Sequence, residues 1–185
     1  MTGRRPVQQA LNGPPIGEGG PVTELCTVAT IGVYGFDGGS FLRRLQRAHV
    51  QLLLDVRQRR SVRGSDYAWA NSRRLQAALA DAGIAYAHRR ELAPTTELRE
   101  LQYAEDRRLQ VGKRSRRELA AEYARRYTTE ILDRADLTAI MSALPTRGSA
   151  ALLCVEADPE ACHRSLIARR LAQRHRVAIE HLRPE

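Results

Sequence analysis

Five short apolar runs separated by helical stretches are the feature that most restricts how this chain can fold. Residues 26–34 form a β-branched run closed by Gly35, and residues 50–56, 84–88, 150–155 and 177–182 supply four more. Between the first two, Leu42, Leu45 and His49 fall at helical spacing behind Ser40, a residue able to cap a helix. Between the second and third, Leu75, Ala78, Leu79 and Ala82 repeat that spacing, with Asn71 or Ser72 at the start and Gly83 as the stop. Strands that alternate with helices require right-handed crossovers, and crossovers cover a parallel sheet on both sides. The expected fold is therefore α/β: a three-layer sandwich with a mainly parallel five-stranded sheet, helices on both faces and a helical insertion between strands three and four.

That insertion covers residues 95–144. Leu98, Leu101 and Leu109 share a side, Ser115-Arg-Arg-Glu118 reads as a capping box, and Leu137, Ile140, Met141 and Leu144 form a second stripe ended by Pro145 and Gly148. After the fourth strand, Asp158 as cap, Pro159 at the first helical position and Glu160 in the first turn predict a helix starting there. Residues 1–21 hold five glycines and four prolines with little to bury. They are expected to be a disordered tail, leaving 22–185 as a single α/β domain. No internal repeat interrupts this plan.

Charge narrows the class of partner. Thirty basic residues oppose 21 acidic ones, for a formal charge of +9, and Lys113 is the only lysine. Arginine presents a planar fork suited to phosphate and carboxylate, which points to an anionic small molecule or nucleic acid as partner. Biased coding toward Ala and Arg gives the same totals, so only local clusters of arginine carry weight. No run approaches the ~20 apolar residues of a membrane span, so no membrane partner is expected. No apolar segment follows Arg4 and Arg5, which leads to the expectation of a cytoplasmic protein without a secretory signal. Three well-separated cysteines agree with a reducing compartment. Oligomeric state is not legible.

In an open parallel sheet, ligands bind beyond the carboxyl ends of the strands. Tyr34 follows strand one, Asp55 and Arg57 close strand two, His88 closes strand three, and Cys154 and Glu156 close strand four, with Cys162, His163 and Arg164 just after. A thiol near a helix N-terminus beside His163 and Arg164 is favoured as thiolate, which suits a nucleophile. The phosphatase pattern C-x5-R is absent: counted from Cys162 it meets Ala168, and from Cys154 it meets Glu160. A metal set of Cys154, Glu156, Cys162 and His163 has the wrong spacing for a zinc knuckle, and neighbouring ligands on a helix point ~100° apart. Neither metal nor cofactor is expected, and packing accounts equally well for Cys26, Cys154 and Cys162.

The segment from Cys154 through Glu156, Asp158-Pro159 and Cys162-His163-Arg164 resembles the closing signature of the family known as domain of unknown function 488. Thr30-Ile31-Gly32, Asp55-Val56-Arg57, and His88 with Glu91-Leu92 resemble that family's earlier motifs in the same order, from about residue 27 onward. Where the family often continues with His-Ser, this chain has Val33-Tyr34, so a role tied to that histidine has no counterpart. The resemblance implies the fold and marks these residues without implying a reaction.

Two functional readings follow. In the first, the chain is an enzyme acting on a phosphate-bearing or nucleotide-like small ligand. Cys162 and His163 supply nucleophile and acid–base function, Asp55, Glu156 and His88 assist, and Arg57, Arg164, Tyr34, Arg59 and Arg63 hold the ligand. In the second, it is a non-catalytic nucleic-acid-binding module. The loop 57–69, where arginines alternate with Tyr67 and Trp69, would track the phosphate backbone. The basic run Arg107, Arg108, Lys113, Arg114, Arg116 and Arg117 reads as a solvated face.

Overall fold

A computed structural model describes residues 26–145 and 148–184. The expected tail at 1–21 lies outside the described residues. Among the described residues five strands, β1 (Cys26–Ile31), β2 (Val50–Asp55), β3 (Ala85–His88), β4 (Ser149–Leu153) and β5 (Val177–Leu182), form one sheet. Their order is β3-β2-β4-β1-β5 and every neighbouring pair is parallel. Six α-helices connect them: α1 (Gly38–Arg47), α2 (Ser72–Asp81), α3 (Thr96–Arg108), α4 (Ala121–Tyr127), α5 (Leu137–Ser142) and α6 (His163–Arg174).

The strand alternation sorts side chains to two cores. Ala29, Ile31, Leu53 and Leu153 face Phe41 and Leu45 of α1 and Leu75 and Leu79 of α2. Val28, Leu54 and Leu152 face Tyr123 and Tyr127 of α4, Leu137 of α5 and Ile167 of α6. These are the two covered faces of a three-layer α/β sandwich, with α3 to α5 as the insertion between β3 and β4. Register levels the carboxyl ends, since Leu153 lies beside both Ile31 and Asp55, and Asp55 beside His88. Beyond them, Val33 and Tyr34 both donate to the Val155 carbonyl. Gly32 permits this approach, because a Cβ there would lie 1.9 Å from the Glu156 carbonyl oxygen.

Three local expectations differ from what is found. Ser115 caps no helix: its hydroxyl bonds the Gly112 main chain, and α4 begins only at Ala121. The last helix begins at His163 with Cys162 as its N-cap, not at Asp158. Arg117 and Arg183 take the Asp158 carboxylate, while a tight turn closes from the Cys162 N–H to the Pro159 carbonyl. The first helix is capped by Asp37, in a reciprocal box with Ser40. Among the described residues no helix is long and apolar enough to cross a membrane.

Candidate functional site

The connection leaving β2 runs through α2 on one face, and the connection leaving β4 runs through α6 on the other. Adjacent strands whose connections diverge leave a crevice between their carboxyl ends, where unpaired main-chain groups and helix starts meet. A cavity of about 490 Å³ opens at that position, a size suited to a small molecule.

Two cysteines and a histidine form part of its wall. Cys154 and Cys162 line the cavity although both are buried, and so does His163, the first residue of α6. His163 Nε2 is 3.1 Å from the Val56 carbonyl oxygen. A carbonyl only accepts, so Nε2 carries the proton and donates it there. Nδ1 then faces both sulfurs, at 3.8 Å from each.

Burial alone would push the Cys162 thiol up, but the neighbouring Cys154 thiol and the charges of His163 and Arg164 hold it well below the usual thiol range. Burial likewise disfavours a charged His163, yet the Cys162 sulfur outweighs it and raises the imidazole above its ordinary value. Cys154 moves the opposite way, driven up by burial and then by its neighbour Cys162. These directions favour the thiolate at Cys162 beside a charged His163, and keep the proton on Cys154.

Glu156 ties this cluster to the insertion. Its Oε2 accepts from the Cys154 thiol at 3.3 Å, and its Oε1 accepts from Arg116 at 3.0 Å. Arg116 also donates to Asp106 at 3.0 Å, and Gln102 donates to Asp106 at 2.9 Å. The Nε of Arg116 is buried with no partner among the described residues. Lys113 stands 3.7 Å from Glu156; burial opposes its charge, but Glu156 keeps its pKa above the ordinary lysine value.

Of the residues singled out in the sequence, Cys162, His163, Glu156, Arg57, Tyr34, Arg59 and Arg63 all line this cavity. Arg59 and Arg63 are exposed, and no carboxylate among the described residues pairs with them. Tyr34 packs edge-on against Tyr67 at 5.1 Å, and the Arg114 guanidinium lies over both rings. Asp55, His88 and Arg164 do not line it. Asp55 takes two bonds from the Arg57 guanidinium, at 2.8 and 2.7 Å, and one from Tyr86. His88 Nε2 donates to the Arg57 carbonyl at 3.0 Å. Arg164 donates to the carbonyls of Glu156 and Ala157, fixing the loop after β4.

Sequence reasoning missed the contribution of the insertion. Lys113, Arg114 and Arg116 do more than face solvent: all three line the cavity, Arg114 while exposed, and Arg116 is buried because Asp106 and Glu156 neutralise it. Gln102 and Asp106, four apart on α3, were the available signal for an inward polar stripe. Trp69 takes no part in the cavity; it packs against Phe41 with ring centroids 4.8 Å apart.

The three donor atoms of Cys154, Cys162 and His163 lie within 4.8 Å of one another, close enough for a soft ion. The expected divergence of adjacent ligands does not arise, because Cys162 is extended (φ −140°, ψ 141°) rather than helical. In this structure Cys154 contacts Glu156 at 3.3 Å and Cys162 contacts His163 at 3.8 Å.

Sheet order, crevice and cluster define a doubly wound parallel α/β protein with a cysteine–histidine centre at its switch point. The chain belongs to the family described as Domain of unknown function DUF488, which it matches over residues 39–171. No curated protein and no solved structure matches it significantly.

Proposed function

We propose that this protein is an enzyme acting on a phosphate-bearing or nucleotide-like small ligand, with Cys162 as its nucleophile. The observation that carries this reading is the Cys162–His163 pair in the wall of a cavity rimmed by Arg59, Arg63, Lys113 and Arg114. The cations hold the anionic group of the ligand, and the Cys162 sulfur attacks an electrophilic centre placed over the α6 start. His163 releases a proton from Nδ1 to the leaving group, since its Nε2 proton is committed to Val56. Glu156 and Arg164 position the loop that carries the thiol, and Asp55 acts at a distance by holding the end of β2. The packing of Trp69 into the α1 side favours a small ligand over a strand of nucleic acid stacked along 57–69.

Alkylation by iodoacetamide tests this. Cys162 is expected to react faster than Cys26 or Cys154 at about pH 7, below the ~8.5 of a free thiol. Because its pKa is depressed, the thiolate persists as pH falls from ~9 to ~7, a range over which an ordinary thiol of pKa ~8.5 slows roughly 25-fold in all. AMP and inorganic phosphate are expected to protect Cys162. Equal, slow labelling of all three cysteines, or no protection by either anion, overturns the reading. Competition by single-stranded DNA oligomers without effect from AMP favours the nucleic-acid reading instead.

A further inference from the structure

We infer that Cys154 is a resolving thiol for Cys162: a hydroperoxide oxidises Cys162, and Cys154 captures the product as an internal disulfide that closes the site. The inference rests on the reading that Cys162 is the reactive thiol, and adds a modification that this reading does not require. It is carried by four features of the cluster. Both sulfurs lie on the wall of one cavity, so a small oxidant reaches them by the same route as a ligand. They lie within 4.8 Å of each other, with His163 Nδ1 between them at 3.8 Å from each. Their surroundings are unequal: Cys162 faces His163 Nδ1 at the start of α6, while Cys154 donates to a carboxylate, Glu156 Oε2, at 3.3 Å. Finally, Cys162 sits in the turn before α6 and Cys154 just past the end of β4, outside both regular elements, so side-chain rotation can bring the sulfurs together without breaking helix or ladder.

The chemistry balances with one hydroperoxide. The Cys162 thiolate attacks the outer peroxide oxygen; an S–O bond forms, the O–O bond breaks, and the released alkoxide or hydroxide takes the Nδ1 proton of His163. Cys162 is then a sulfenic acid. Cys154 gives its proton to Glu156 and attacks the Cys162 sulfur. An S–S bond forms, the S–O bond breaks, and the departing hydroxide takes the proton from Glu156 and leaves as water. Two thiols are oxidised by two electrons in all, and the peroxide is reduced by two. A dithiol reductant reverses the reaction.

The two residues fall within one tryptic peptide, 148–164, which makes the product easy to read. The full chain is reduced, freed of reductant, treated with hydrogen peroxide and digested without reduction. The expected peptide 148–164 has lost the mass of two hydrogens, Cys162 alkylation falls at least ~10-fold, and dithiothreitol restores both. In Cys154→Ser, dimedone is expected to trap sulfenic acid at Cys162, and circular dichroism verifies that this variant folds. The wild-type digest stands as a test on its own should the variant fail to fold. Oxidised Cys162 with Cys154 still free overturns the inference while leaving the reactive thiol intact. A Cys162 that neither alkylates nor oxidises overturns both. A disulfide to Cys26, or zinc retained stoichiometrically by the purified protein in native mass spectrometry and released on Cys154→Ser, also overturns it.

Discussion

Two strand ends lie side by side in this sheet, and they treat buried polar groups in opposite ways. At the end of β2, Asp55 and Arg57 lock together, Tyr86 completes the carboxylate, and the Ala70 carbonyl takes a further Arg57 N–H at 3.0 Å. Both charges are buried and their polar atoms face one another. At the end of β4, Cys154, Glu156, Cys162 and His163 are also buried and, like Arg57, line the cavity, but the two sulfurs have only contacts of 3.3 Å or longer. Burial and charge therefore do not by themselves mark a reactive centre. The difference lies in whether the polar atoms satisfy one another completely or leave a sulfur facing an opening.

The contrast is broken most severely by Asp55→Asn. It leaves the Arg57 charge buried without a counter-charge, and the expected loss is about 3–5 kcal/mol of unfolding free energy. Urea denaturation measures it, and a loss under ~1 kcal/mol would mean that the β2 knot is not structural. Gly32→Ala attacks the β4 end through its backbone. The new methyl must displace the loop at Glu156, at an expected cost of about 1–3 kcal/mol, together with slower alkylation of Cys162. Unchanged alkylation would separate the thiol's reactivity from the placement of that loop. The smallest effect on stability is expected for the double change Arg59→Ala with Arg63→Ala, within about 0.5 kcal/mol of the parent. Its consequence is weaker protection of Cys162 by AMP, and a shallower dependence of that protection on salt. Undiminished protection would assign the anion to Lys113 and Arg114 instead.

The parts legible in the sequence were those set by local pattern. Apolar runs gave the five strands, Val177–Leu182 among them to the residue, and their alternation with helices gave the parallel sheet. The polar residues expected at the carboxyl edge are there because that edge follows from the topology. What stayed hidden depends on partners far along the chain. Arg116 looks solvated until Asp106, ten residues away, and Glu156, forty away, close on it. Asp158-Pro159-Glu160 has the local grammar of a helix start, but Arg117 and Arg183 claim the carboxylate, and the cap passes to Cys162. Arg57 and Arg164 looked alike as anion holders, yet one is tied to Asp55 and the other to two carbonyls. Arginine's fork serves internal and external anions equally, and only geometry distinguishes them.

The strand order also governs when the centre can exist. β1 pairs only with β4 and β5, both encoded in the last quarter of the chain, while β2 and β3 can already pair with each other. During synthesis the first strand must therefore wait, its ladder groups open to water or to stray neighbours, until about 120 further residues have emerged. Docking of β4 then zips the two halves of the sheet and, in the same event, brings the thiols to the crevice. A nascent chain or a C-terminal truncation stopping short of β4 has neither a finished sheet nor the assembled cysteine–histidine cluster.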